Sequence, residues 1–92
     1  MAFTVKYHPD VKEIDLPRIN AKLRERIRRA IESRLMTAPQ EYGLPLRKSL
    51  RGYWKLRVGD YRVVFKIEGE IVSILGIRHR KSIYEVVTGR KK

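Results

Sequence analysis

No cysteine occurs among the 92 residues. That absence removes a disulfide framework, a thiolate metal site and a cysteine nucleophile together, and it suits a reducing compartment. Only two histidines are present, far apart in sequence, which does not make a zinc site. Acidic residues are few and scattered, so no carboxylate dyad of the glycosidase kind stands out. Ser33, Ser49, Ser73 and Ser82 lie in no nucleophile elbow, and no glycine-rich phosphate loop occurs. No apolar run approaches the roughly 20 residues of a membrane span, and the opening MAFTVKYHPD lacks the apolar centre of a signal peptide. A soluble, cytoplasmic chain without metal or other cofactor is the expectation. A chain this short buries little more than ~60% of its unfolded surface. The reading is therefore one domain over residues 1–92, with any chemistry on an open face.

What the sequence holds in excess is positive charge: 22 Lys plus Arg against 10 Asp plus Glu, a formal charge of +12. Like charge on this scale repels itself unless a polyanion or an acidic protein neutralises it. Nucleic acid is the first candidate partner. The excess is spread over the whole chain beyond residue 20. Only Arg90, Lys91 and Lys92 read as a disordered basic end, so the positive surface belongs mainly to folded elements.

Phe3, Val5 and Tyr7 alternate with Thr4 and Lys6, the period of a strand with one buried face, and His8-Pro9-Asp10 ends it. Val11 and Ile14 suggest a short helical segment interrupted at Pro17. Ile19, Leu23, Ile27, Ile31 and Leu35 then recur every fourth residue, the apolar stripe of a longer helix whose other sides are basic. That stripe is explained by packing on a sheet, and no helix-turn-helix spacing follows it. Thr37-Ala38-Pro39 closes the helix, and a loop runs on to Gly52.

From Tyr53 the period changes to two. Gly59-Asp60 is a natural two-residue hairpin turn, which pairs Val58 with Tyr61, Arg57 with Arg62, Lys55 with Val64 and Tyr53 with Lys66. One face of this hairpin becomes apolar or aromatic: Trp54, Leu56, Val58, Tyr61, Val63 and Phe65. The other collects Lys55, Arg57, Arg62 and Lys66. A further strand from Ile71 to Ile77 is apolar on nearly every residue, as for a strand covered on both sides. Ile83, Tyr84, Val86 and Val87 form a last short segment, strand or helix. The order β-α-α-β-β-β(-α) gives an α+β domain: an antiparallel sheet with two helices on one face and an open basic face opposite.

Arg57 and Arg62, directly opposed, repel one another across the strand pair. Two long side chains splaying into water over their aliphatic stems are one account. A phosphate clamp is the other, since Arg presents planar paired donors that match phosphate oxygens. Cations crowded around a lysine disfavour its protonated form, and Lys55, diagonal to the pair, is placed to accept a proton. Beyond the next strand come Arg78, His79, Arg80 and Lys81. A two-residue loop at Glu68-Gly69 turns His79 to the basic face; a three-residue loop through Glu70 turns Arg78 there. A neutral His79 imidazole could exchange a proton near neutral pH. His8, at a strand end, reads as structural. Tyr84 is either a core aromatic or a ring on which a splayed base stacks.

The run Leu50-Arg51-Gly52-Tyr53-Trp54-Lys55-Leu56-Arg57-Val58-Gly59-Asp60-Tyr61-Arg62-Val63-Val64-Phe65, with Ile74 to Arg80 and Tyr84, resembles the RelE branch of the RelE/ParE toxin superfamily. The signature lies in residues 50–84, and the helices before it match in pattern. This resemblance implies the toxin of a type II toxin–antitoxin pair: a ribosome-dependent endoribonuclease that cuts mRNA in the decoding site without metal, through attack of a ribose 2′-OH on its own 3′ phosphate. Lys55, Arg62, Arg78 and Tyr84 fall on positions the family uses. The sequence departs at Tyr53, where studied members carry a lysine, and at His79, which resembles a histidine of other branches. The implied roles are Lys55 as base, Arg57 and Arg62 on the phosphate, Arg78 or His79 near the leaving group and Tyr84 against a base. Tyr53, Arg57, Lys66, Arg80 and Lys81 are expected to hold RNA. An acidic antitoxin and the ribosome are the implied partners. A ParE-like gyrase poison and a non-catalytic RNA-binding module are the competing readings.

Overall fold

The computed structural model describes residues 3–91. Strand β1 (Thr4–Tyr7) presents Val5 and Tyr7, with Phe3 before it, to the main core. The chain then coils through Val11–Asp15 and Leu16–Arg18. In that segment Val11 and Asp15 are the buried side chains, whereas Ile14, expected beside Val11, is 37% exposed. Ile19 returns to extended backbone, so the long helix begins after it and not on it. Asn20 is the N-cap: its Oδ1 accepts the Leu23 amide at 2.9 Å, satisfying one of the first-turn donors. Helix α1 (Ala21–Ala30) runs on through a wider coil, Ile31–Leu35, and buries Ile27, Ile31 and Leu35.

The stretch read as loop contains three short elements: helix α2 (Pro39–Tyr42), strand β2 (Leu44–Pro45) and a turn at Lys48–Leu50. Pro39 starts α2 because a first-turn residue needs no amide donor. β2 pairs the outer edge of β3 (Tyr53–Val58), and β3 pairs β4 (Tyr61–Glu68) in the register expected from Gly59-Asp60. Gly59 takes φ +60° at the first central position of that turn, a conformation that suits glycine and twists the hairpin correctly.

The second turn differs from both expected loops. Glu68 pairs with Ile71, leaving Gly69-Glu70 as the central residues. The same rule operates: glycine takes the left-handed first position. β5 (Ile71–His79) follows this register as far as Phe65–Ile74 and then skips one residue, so that Val64 pairs with Gly76 and Arg62 with Arg78. Leu75 is the extra residue of a β-bulge. The sheet order is β1-β5-β4-β3-β2, and β1 joins β5 in parallel, which makes the sheet mixed and not wholly antiparallel. No hairpin links β1 to β5, so nothing local fixes their relative direction.

Val11, Ile19, α1, Leu56, Val63, Phe65, Val72, Ile74 and Ile77 form the main core on one face. On the other, helix α3 (Ile83–Arg90) lays Ile83 and Val87 on Leu50, Val64 and Leu75. Gly76 permits this approach, since a Cβ there would meet Val87 Cγ1 at 2.6 Å. The last apolar segment is thus a helix, and the basic face is open only around it. Arg90 is no loose tail: it ends α3 with its side chain 7% exposed. Lys91 reaches the Ser49 carbonyl, and Lys92 lies outside the described residues. No helix among the described residues is long and apolar enough to cross a membrane.

Candidate active site

The register arranges the α3 side of the sheet in three rows. Tyr53, Lys66 and Ser73 stand opposite one another at one end, with Lys6 beyond them on β1. Lys55, Val64 and Gly76 form the middle row, where α3 sits. Arg57, Arg62 and Arg78 form the third, each directly opposite the next across β3, β4 and β5. Cβ atoms at opposed positions are roughly 4.5–5.5 Å apart, so three guanidinium groups rise from neighbouring points. Such a row costs folding energy unless each cation is held or meets an anion.

Two of the three are held. Arg62 is only 8% exposed, and its Nη1 donates to the Gly59 and Tyr61 carbonyls at 2.9 Å each, which turns it back along its own hairpin. Arg78 donates from Nε to Asp15 Oδ1 at 2.7 Å. Arg57 is exposed and has no ion pair or side-chain hydrogen bond among the described residues. Lys55 lies diagonal to Arg62, and its Nζ stands 5.8 Å from the centroid of the Tyr84 ring, a cation–π contact delivered by the first turn of α3. The helix that covers the middle row therefore also brings an aromatic ring against the lysine of that row.

Asp15 has no exposure at all. β1 ends opposite Ile74 while β5 continues to His79, so the later edge of β5 lacks a strand partner. Asp15 takes that place. Its Oδ2 accepts the Ile77 amide at 2.9 Å and Arg90 Nη1 at 2.8 Å; its Oδ1 accepts Arg78 Nε and, at 2.9 Å, Arg90 Nη2. Arg90 Nη1 also donates to the Leu75 carbonyl at 3.2 Å. Burial pushes the Asp15 carboxyl upward, but the bonds from Arg90, Arg78 and the Ile77 amide outweigh it and hold the group below the usual carboxylate range. The Asp15 carboxylate in turn raises Arg90 further. Sequence reasoning passed over Asp15 and read Arg90 as part of a disordered basic end. A signal was present: Val11, Asp15 and Ile19 continue the four-residue period of the apolar stripe backwards, placing a carboxylate where an apolar side chain was due.

The remaining expected residues divide. Arg80 and Lys81 follow β5 at the arginine end, with the Arg80 amide on the Asp60 carbonyl at 2.8 Å and its Nε 3.8 Å from the Asp60 carboxylate. Tyr53 and Lys66 lie across α3 at the far end, where Lys66 faces Glu68 at 3.4 Å and the Tyr53 ring at 5.8 Å. His79 pairs with Tyr61 on the α1 side of the sheet, their rings edge to face at 5.7 Å, and its Nδ1 accepts the Lys81 amide at 3.2 Å. The bulge at Leu75 is the reason: without it the register would turn Ile77 and His79 to the basic face and Arg78 away. His8 Nδ1 accepts the Asp10 amide at 3.0 Å, a structural contact in the turn after β1.

Comparison with known proteins matches the chain to a family. Residues 3–84 match the family of the ParE toxin of type II toxin–antitoxin system, parDE. Toxin RelE3 of Methanocaldococcus jannaschii is 30% identical over 74 residues, covering 77% of this chain and 84% of that protein. Toxin RelE of Mycobacterium tuberculosis is 34% identical over 74 residues, covering 78% of this chain and 76% of that one. Among solved structures, the toxin–antitoxin complex RelBE2 of Mycobacterium tuberculosis contains a chain that superposes with a TM-score of 0.80 at 28% identity, over 87% of this chain and 93% of its own. The chain belongs to the RelE/ParE superfamily of type II toxin–antitoxin toxins and is RelE-like within it.

Proposed function

We propose that this toxin is a ribosome-dependent mRNA endoribonuclease whose active site is the Arg57–Arg62–Arg78 row together with Lys55 and Tyr84. The observation that carries the reading is the row itself: three arginines at opposed positions on neighbouring strands, a lysine diagonal to the central one and an aromatic ring beside that lysine. RNA supplies its own nucleophile. Lys55 takes the proton of a ribose 2′-OH, the O2′–P bond forms, and the P–O5′ bond breaks to leave a 2′,3′-cyclic phosphate and a 5′-hydroxyl end. Arg57 and Arg62 donate to the phosphate oxygens as their charge grows, the electrostatic role that in other active sites is worth a factor of about 10²–10³ for a single donor. Arg78 hydrogen-bonds the departing oxygen, which takes its final proton from water. Tyr84 stacks on an unstacked base. Side-chain cations supply the charge, so no metal ion is required.

Arg80 and Lys81 extend the anionic track from the same end of the sheet. Tyr53 and Lys66, beyond α3, serve a more distant stretch of RNA. His79 faces away from the row and is not assigned a role in the chemistry. A cognate antitoxin, acidic to match a +12 chain, covers the basic surface and holds the toxin inactive in the cytoplasm. The complex of the similar RelBE2 pair supports that partner.

The test is a translation reaction with purified ribosomes and a defined message, read by primer extension and end-group analysis. Codon-phased breaks with cyclic phosphate ends are expected. They vanish when the scissile ribose is 2′-deoxy, and a phosphorothioate at that position gains nothing from added Cd²⁺. Intact mRNA together with DNA breaks in a gyrase reaction supports the gyrase-poison reading. Steeply salt-dependent RNA binding without any cleavage leaves a binding module.

A further inference from the structure

Resting on that reading of the arginine row, we infer that Asp15 is a positioning residue for the cleavage: it fixes the Arg78 guanidinium by its Nε edge, so that the two terminal nitrogens face the phosphate, and through Arg90 it locks α3, and with it Tyr84, against the sheet. Three kinds of observation converge on this carboxylate. It is fully buried, where a lone anion is costly, and each oxygen receives two donors, which leaves it no slack. Its arginine partners come from two elements, Arg78 from β5 and Arg90 from the last turn of α3, 63 and 75 residues away in sequence, so one carboxylate ties the end of the helix to the strand beneath it. Finally, Nε is the only guanidinium nitrogen of Arg78 with a hydrogen bond among the described residues.

An arginine gripped by Nε presents its terminal Nη pair as a planar fork, an edge that spans two adjacent oxygens, here the departing O5′ and a phosphate oxygen beside it. Arg78 keeps 16% of its side-chain surface exposed, whereas Arg90 keeps 7% and Asp15 none. Of the two arginines on Asp15, one thus meets the solvent-facing row and the other anchors the helix. Arg78 has little freedom to splay, because β5 fixes its backbone and Asp15 its Nε. The preorganisation that lets a donor act without rearranging during the reaction is therefore built by the last residue of the Val11–Asp15 segment, remote in sequence from the hairpin that carries most of the site.

The experiment is a mutant cycle on the full chain with programmed ribosomes: Asp15→Asn, Arg78→Ala and the double variant, each compared at equal folded fraction by circular dichroism. Asparagine keeps an acceptor for the Ile77 amide and removes the charge. The expected result is a fall in kcat of roughly tenfold to a hundredfold in Asp15→Asn, with KM little changed and no further loss when Arg78 is already alanine. The Arg78 Nε–H signal in a ¹H–¹⁵N spectrum should also shift and exchange faster with water in the folded Asp15→Asn protein. If Asp15→Asn does not fold, Asp15→Asn/Arg90→Met removes one charge of each sign and should show the same kcat loss and the same Nε–H change. Wild-type kcat in the folded variant, or an equal loss in the Arg78→Ala background, overturns the inference and leaves the arginine row standing. Wild-type cleavage by Arg78→Ala removes Arg78 from the active site, and the inference falls with it.

Discussion

The two faces of one sheet do different work. Toward α1, the face is filled by Leu56, Val58, Val63, Phe65, Ile74 and Ile77, each at most 4% exposed, with Trp54 stacked on Phe65 at 6.5 Å. Toward α3, a narrow apolar strip of Val64, Leu75 and Gly76 is flanked by cations on both ends. The first face supplies the transfer free energy that keeps so small a chain folded. The second spends part of that stability holding like charges together, which is common where binding or catalysis is the purpose. Asp15 sits at the boundary and serves both, since it closes the β5 edge and neutralises charge from the arginine row.

The largest effect should come from that boundary. Asp15→Ala leaves Arg78, Arg90 and the Ile77 amide without their acceptor, and about 3–5 kcal/mol of stability should be lost, measured by urea unfolding at pH 7. Because the folded state holds the Asp15 carboxyl below its ordinary range, this contribution is complete above the unfolded value of about 3.9 and disappears as pH falls through the lower folded value. The stability curve of the wild type should therefore fall more steeply in acid than that of Asp15→Asn.

Next come matched cuts into the two faces. Ile27→Ala, beneath α1, should cost about 2–5 kcal/mol of stability yet leave cleavage per folded molecule unchanged. Arg62→Ala should instead raise the barrier to cleavage by about 2.7–4 kcal/mol if it removes one oxyanion donor, seen as lower kcat in single-turnover assays. Should Ile27→Ala damage kcat as much as Arg62→Ala does, the division of labour between the faces is wrong. Gly76→Ala probes the seam between them, because the added methyl meets Val87. A destabilisation of about 1–3 kcal/mol is expected, with a selective loss of protection for α3 amides in hydrogen exchange. The smallest change belongs to Glu25→Gln. This residue pairs with Arg28 and Arg29 on the exposed side of α1, and losing such a surface network should leave the urea midpoint where it is.

Much of this was legible in one sequence because local rules decided it. The Gly59-Asp60 turn set the β3–β4 register, and with it the opposition of Arg57 to Arg62 and the diagonal position of Lys55. Alternation alone told the buried face of β3 and β4 from the charged one. What escaped prediction depended on partners distant in the chain. The parallel pairing of β1 with β5 has no hairpin to announce it. The short elements α2 and β2 are too brief to show a period. Arg90 looked like part of a basic end, because its acceptor lies 75 residues away in a helical turn that periodicity assigned to Ile14.

By itself, then, the sequence determined the α+β class, the charge of the chain, the first hairpin and the membership of its basic face, since period-two alternation and a glycine turn act over a few residues. Tertiary structure alone decided that Arg78, and not His79, joins that face. One extra residue at Leu75 reverses side-chain direction for the rest of β5, and the groups that pack on the strand beside the bulge, Val87 of α3 against Gly76 and Asp15 on the Ile77 amide, come from distant parts of the chain.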